Sequence, residues 1–168
     1  MIVEAVNEFL RHGDYTRATI HYDMNCIKIR LYGKADQHAY LIYLYSPWRI
    51  VQDGHLLTSS SLYPSEYLYE SKDDHRRAFS EFCDRTKGLE CHRILRIEVK
   101  PISNDLTIEW EGGLRLEKIC MSEDSDYHIY DLLSKLSHDF GFNSYASVSE
   151  EDEVVDISVK RTDGCPQK

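Results

Sequence analysis

No apolar run in this 168-residue chain approaches the length of a membrane span, and the opening Met1-Ile-Val-Glu-Ala-Val carries Glu4 and no basic n-region. Neither a spanning segment nor a secretory signal is expected. Basic charge is short as well: 20 Lys and Arg face 29 Asp and Glu, for a net charge of −9. That balance repels phosphate backbones and anionic lipid and favours basic partners, so neither nucleic acid nor a membrane is the expected ligand. The five cysteines (Cys26, Cys83, Cys91, Cys120 and Cys165) are odd in number and irregularly spaced. They fit free thiols in a reducing cytoplasm better than a disulfide framework.

Catalytic and metal-binding motifs are missing too. Neither CxxC nor HExxH occurs; Cys91 and His92 point to opposite faces of a strand, and Cys83 stands eight positions earlier on a helix, which leaves no zinc site. Ser59-Ser60-Ser61 lacks a nucleophile elbow, and Gly112-Gly113 lacks the following helix and lysine of a phosphate loop. Asp73-Asp74-His75 is what a helix start favours electrostatically. His21-Tyr22-Asp23 and His138-Asp139 are isolated polar clusters whose default roles are at the surface or as satisfied core groups. No catalytic residue, metal or cofactor is assigned.

What the chain does contain is one domain's worth of periodic apolar sequence, at 42% hydrophobic residues. Ile2, Val3, Val6, Phe9 and Leu10 recur at helical spacing before Gly13, predicting a helix over 2–13. Ser71-Lys-Asp-Asp74 reads as a capping-box start, His75, Ala78, Phe79, Phe82 and Cys83 form one face, and Gly88 supplies a stop, predicting a helix over 73–87. Asp131 followed by Leu132, Leu133, Leu136, Phe140 and Gly141 predicts a third helix over 131–140. Val154, Val155, Ile157 and Val159 predict a final strand near 153–161, after the acidic run Glu150 to Glu153.

Between the helices the apolar period becomes two. Ile27, Ile29 and Leu31 alternate with polar residues, as do Leu95, Ile97 and Val99, then Leu106, Ile108 and Trp110, then Leu114 and Leu116. A two-residue Gly112-Gly113 loop would set Glu111 opposite Leu114 and mix charge with core. A three-residue loop of Glu111, Gly112 and Gly113 instead pairs Ile108 with Leu116 and Trp110 with Leu114, and is preferred. Tyr40 to Ile50 lies over Leu106 to Leu116 without a gap, Ser46-Pro47 falling on Gly112-Gly113, which suggests two equivalent meander units. The expectation is an α+β fold: meander units near 18–62 and 91–130, possibly an internal duplication, flanked by three helices, with Trp48 and Trp110 both buried.

Two outer faces attract attention. Leu41, Tyr43 and Tyr45 share one with Lys28, Arg30 and Arg49, within a chain holding twelve tyrosines; tyrosine gives rigid contact area with a polar tip. The other carries Glu98, Glu109 and Glu117 with Thr107, Arg96 and Arg115, and Glu111 sits at the hairpin tip. It reads either as plain solvated sheet or as a mimic of nucleic-acid charge that docks on a basic protein. Which face is the interface stays open.

The segment Pro47-Trp48-Arg49-Ile50, the serine run Ser59 to Ser61, and Asp105-Leu-Thr-Ile-Glu-Trp-Glu-Gly-Gly-Leu resemble small, mostly uncharacterised bacterial proteins of the polymorphic-toxin immunity type. The resemblance spans roughly residues 26–130 and transfers no site residue. It implies a cytoplasmic inhibitor encoded beside a toxin; with the acidic balance and the missing motifs, the expected partner is a basic protein, toxin or nuclease, and no catalysis is expected. A phage-type inhibitor of a host defence nuclease fits the same size and acidity. A small hydrolase or nuclease using Asp, His and Tyr is the alternative from another class.

Overall fold

The period-two segments assemble into two antiparallel sheets, and the computed structural model describes residues 2–120, 127–134, 136–140 and 145–147, the last two stretches by backbone alone. Chain order is α1 (Ile2–Arg11), β1 (Arg17–Asp23), β2 (Cys26–Tyr32), β3 (His38–Leu44), β4 (Trp48–Gln52), β5 (His55–Ser59), α2 (Lys72–Asp84), β6 (Ile94–Val99), β7 (Leu106–Trp110), β8 (Leu114–Lys118), β9 (Tyr127–Asp131), β10 (Leu136–Phe140) and β11 (Tyr145–Ser147). The first sheet has the order β1-β2-β3-β9-β10-β11 and the second β5-β4-β8-β7-β6. The fold is α+β, with two α-helices among the described residues.

Each sheet is completed by strands from the other half of the chain. β3 pairs with β9, and β8 pairs with β4. Replacing β1 to β5 by β6 to β10, and the reverse, converts one five-strand order into the other. Each sheet therefore has an equivalent central row: Ile20, Ile29, Ile42 and Ile129 in the first, Ile97, Ile108, Leu116 and Ile50 in the second. All eight are buried and belong to one cluster with Trp48, Trp110 and Phe82. Full burial of such a side chain contributes about 1.5–3 kcal/mol, so these rows carry much of the fold.

Several expectations hold. Trp48 and Trp110 are buried, and Ile108 faces Leu116 across a loop of Glu111, Gly112 and Gly113. Gly113 has φ +73, and a Cβ there would collide with Asp53 Oδ1, because the tip of the β4–β5 hairpin touches this loop: Asp53 N–H donates to Gly113 O at 3.3 Å. Gly13 stands beyond α1 at φ +77, though the helix ends at Arg11 rather than 13. Ser71 caps α2, its hydroxyl accepting Asp74 N–H at 3.1 Å; the helix spans Lys72–Asp84 rather than 73–87.

Others are corrected. The third helix over 131–140 does not form: Asp131 closes β9, and Leu136 to Phe140 return antiparallel as β10. Asp131 does act as a cap, but of a hairpin turn, its Oδ1 accepting the N–H groups of Leu133 and Ser134 at 3.0 Å each. The same side chain serves both structures, which is why the signal misled. Nor is Tyr40 to Ile50 a hairpin. β3 and β4 lie in different sheets, and Ser46-Pro47 is a crossing between them. The expected pairing of meander units thus slipped by one strand: the topology matches β1-β2-β3 with β6-β7-β8. The strand predicted near 153–161 lies outside the described residues.

Helix α1 closes the free edge of β6. The Asn7 side chain donates to Ile97 O at 2.8 Å and accepts Ile97 N–H at 2.9 Å, imitating a neighbouring strand. Ile20, the counterpart of Ile97, donates its outward N–H to Glu90 Oε1 at 2.7 Å. Replacing Asn7 by Ala leaves both Ile97 groups without these partners and should cost about 1–3 kcal/mol. Urea denaturation monitored by tryptophan fluorescence should show a lower midpoint with the m-value kept; an unchanged midpoint would show that Asn7 does not hold this edge.

Candidate functional site

The outer face of the first sheet is built by alternation. With Ile27, Ile29, Ile42, Leu44 and Ile129 inward, Lys28 stands beside Tyr43, Tyr43 beside His128, and Leu41 between Arg30 and Tyr130. Four rings run without a break: Tyr43 to Tyr45 at 4.8 Å, Tyr45 to His128 at 5.5 Å, and His128 to Tyr130 at 5.8 Å between centroids. Edge-on and tilted rings at these separations attract one another and hold rotamers fixed, so the surface is organised before anything binds. Lys28 Nζ lies 5.0 Å from the Tyr43 ring centre while paired with Asp23 at 3.1 Å. Burial pushes the Tyr43 hydroxyl's pKa up, and its hydrogen bond with Cys26 adds to this, so it stays protonated through neutral pH.

Tyr43 and Tyr45 therefore come together as expected. Arg49 does not join them, because β4 belongs to the other sheet. His128 and Tyr130 were not recognised as part of the face, although Tyr127-His-Ile-Tyr130 alternates with period two and shows its parity.

The outer face of the second sheet is a lattice of ion pairs. Arg49 and Arg115 both grip Glu117 at 2.6 Å. Arg96 holds Glu109 through two bonds, at 2.8 and 3.0 Å, and approaches Glu98 at 3.7 Å. Glu109 also faces Arg115 in the ladder. Three arginines thus balance three glutamates, and the face is neutral rather than acidic. Glu111 is apart from it, at the exposed hairpin tip, its backbone N–H donating to Arg93 O at 2.9 Å. A shallow cleft of about 330 Å³ opens on this side among Arg49, Val51, Leu56, Ser59, Arg115 and Glu117.

The surplus negative charge lies elsewhere. Residues 1–120 hold 18 Asp and Glu against 16 Lys and Arg, whereas residues 121–168 hold 11 against 4, so −7 of the net −9 is in the C-terminal part.

Several of the polar groups considered for catalysis have structural partners. Ser60 Oγ accepts Trp48 N–H at 3.2 Å, Ser59 and Ser61 bond each other at 2.9 Å, and His75 Nε2 meets Pro64 O at 2.9 Å. Asp73 and Asp74 pair with Arg76 and Arg77 at 2.9 and 3.1 Å. Tyr22 bonds Thr86, and Asp23 pairs with Lys28. In the backbone register His138 falls opposite Ile129 and Asp139 opposite His128. Among the described residues, no three His, Cys, Asp or Glu gather as a metal site. Cys26, Cys83 and Cys120 form no disulfide, but Cys91 is disulfide-bonded, so the expectation of thiols throughout does not hold; irregular spacing carries no information about which cysteines meet in space. No described helix is long and apolar enough to cross a membrane.

Comparison with family models, curated proteins and solved structures finds no match to this chain.

The lattice makes a pH prediction. The hydrogen bonds from Arg96 hold the Glu109 carboxyl below the ordinary glutamate range, against a smaller opposing effect of burial. A lowered folded pKa means that this stabilisation is present above the unfolded value, about 4.3, and is lost as pH falls through the folded one. Arg96→Ala should return the Glu109 midpoint towards its ordinary value in a carboxyl NMR titration, with little change in stability because the pair is at the surface. A midpoint that does not move would reject the Arg96 assignment.

Proposed function

We propose that this chain is a non-enzymatic inhibitor of the immunity type, which binds and neutralises a basic protein, a toxin or nuclease. The observation carrying this reading is the unbroken ring surface of Tyr43, Tyr45, His128 and Tyr130 on the outer face of the first sheet. Aromatic clusters with polar tips are the usual anchors of protein interfaces.

The neutral lattice on the second sheet changes where electrostatic steering must come from. Glu98, Glu109 and Glu117 already face arginines and project little field. The C-terminal part, at −7, supplies the attraction for a basic partner. Anchoring and steering thus belong to different parts of the chain, and kinetics can separate them.

The partner assayed is the protein encoded beside this chain in its genome, and association is followed by surface-immobilised kinetics. Tyr43→Ala with Tyr45→Ala should raise the dissociation rate by about thirtyfold or more, equivalent to about 2 kcal/mol for an aromatic hot spot. Glu150, Glu151, Asp152 and Glu153 changed together to Gln or Asn should slow association and flatten its salt dependence, since screening acts over about 10 Å at 0.1 M. Glu109→Gln with Glu117→Gln should alter neither rate. Turnover of nucleic acid or a small molecule by the chain alone, unaffected by the tyrosine changes, would promote the enzyme reading instead.

A further inference from the structure

The ion-pair lattice on the second sheet is neutral as a whole but unequal at its two ends. Towards β6, Arg96 serves both Glu109 and Glu98, and each oxygen of Glu109 is turned to Arg96, so one cation meets two anions. Towards β5, Arg49 and Arg115 share Glu117, so two cations meet one anion. The local balance is −1 at the first end and +1 at the second. The cleft described above opens at the cationic end. Arg49 and Arg115 are 53% and 47% exposed and Glu117 only 18%, so an incoming group meets the guanidiniums before the carboxylate.

A β-bulge shapes the apolar side of this cleft. The β4–β5 ladder shifts register between Ile50 and Val51: Thr58 faces Ile50, Leu56 faces Val51, and Leu57 is the extra residue between them. Leu57 packs against the core, whereas Leu56 is exposed and lines the cleft with Val51. Strict alternation would have sent Leu56 inward with Thr58; a bulge re-aims side chains in this way. Two guanidiniums therefore stand beside an apolar wall, and Ser59 adds a hydroxyl. Asp53, the carboxylate at the tip of the same hairpin, lies against Gly113 and is not part of the lining.

We propose that this cleft binds a small organic monocarboxylate, its carboxylate held by Arg49 and Arg115 and its apolar body laid against Val51 and Leu56. Arg49 directs Nε and Nη2 to one oxygen of Glu117, and Arg115 brings Nη2 to the other. A guanidinium presents several N–H donors in a planar fork that matches a carboxylate. The remaining donors of both arginines have no partner among the described residues. Charge selects a monoanion: one negative charge offsets the local excess, whereas a second would face Glu117 uncompensated. The wall selects an organic acid over an inorganic anion, which would leave Val51 and Leu56 uncovered. At about 330 Å³ the cleft is at the small end of ligand sites, which suits a single ring or a short branched chain.

Heteronuclear NMR on the isotope-labelled full chain tests this with benzoate as the probe, raised to about 20 mM at a constant ionic strength of about 0.1 M so that screening does not vary. Benzoate should move the Nε–H signals of Arg49 and Arg115 and the amides of residues 49–59 and 115–117 along one saturable curve. Benzamide lacks the charge, acetate lacks the body, and sulfate lacks the body and carries a second charge; each should bind at least about tenfold more weakly. Arg49→Gln and Arg115→Gln should each weaken benzoate binding about tenfold or more, with thermal melting unchanged, as exposed substitutions usually leave it. Leu56→Ser should weaken benzoate and leave acetate unaffected. Arg17→Gln removes the same charge from the first sheet and should change nothing, which separates a local effect from one of net charge. The absence of a saturable shift, shifts confined to other segments, benzamide or sulfate binding as well as benzoate, or benzoate binding that survives both arginine variants would overturn the proposal. The assay uses no protein partner and the cleft lies on the other sheet from the tyrosine face, so its outcome is independent of the inhibitor reading.

Discussion

The fold depends on two ladders, β3 with β9 and β8 with β4, in which each half of the chain completes the other's sheet. Without them β3 and β8 would be bare apolar edges, and the rows through Ile42 and Leu116 would stop halfway. The exchange requires the chain to change sheets between β3 and β4, and that crossing is firmly held. Trp48 donates its backbone N–H to Ser60 Oγ and its indole N–H to Asn25 O at 2.7 Å, while its ring stacks on Tyr22 and meets Phe82. Because Trp48 to Gln52 must find partners at Leu114 to Lys118, the decisive pairing is far apart in sequence. Such topologies order much chain before their contacts are rewarded, so folding is slow relative to helical proteins of this size.

Much of this was legible, and the failures have identifiable physics. Period-two alternation marks a strand and the parity of its side chains, so burial of both tryptophans and the Ile108–Leu116 register followed directly. Alternation does not say which strand lies beside which, since every strand of this kind resembles every other. The overlay of Tyr40 to Ile50 on Leu106 to Leu116 kept every inward position apolar and still joined strands that occupy different places. Turn chemistry held the missing information. Asp53-Gly54, with φ +50 and +82, is the hairpin signal that joins β4 to β5 and leaves β3 outside that pair. Asp131 shows the converse: a capping side chain announces that a backbone turns there, whereas the partner waiting at β3 decides whether a strand or a helix results.

The two outer faces show how far composition reaches. Parity assigned Tyr43 and Tyr45 to one surface and the glutamates to another, correctly in both cases. The neutrality of the second surface was not legible, because it arises from cross-strand neighbours: Arg49 reaches Glu117 only because β4 lies beside β8. Exposed pairs of this kind contribute little to stability. Their effect here is electrostatic: the sheet projects almost no field, so the chain's acidity acts from residues 121–168 instead. His128 and Tyr130 joined the tyrosines for the same topological reason, since β9 lies beside β3 only through the exchange of strands.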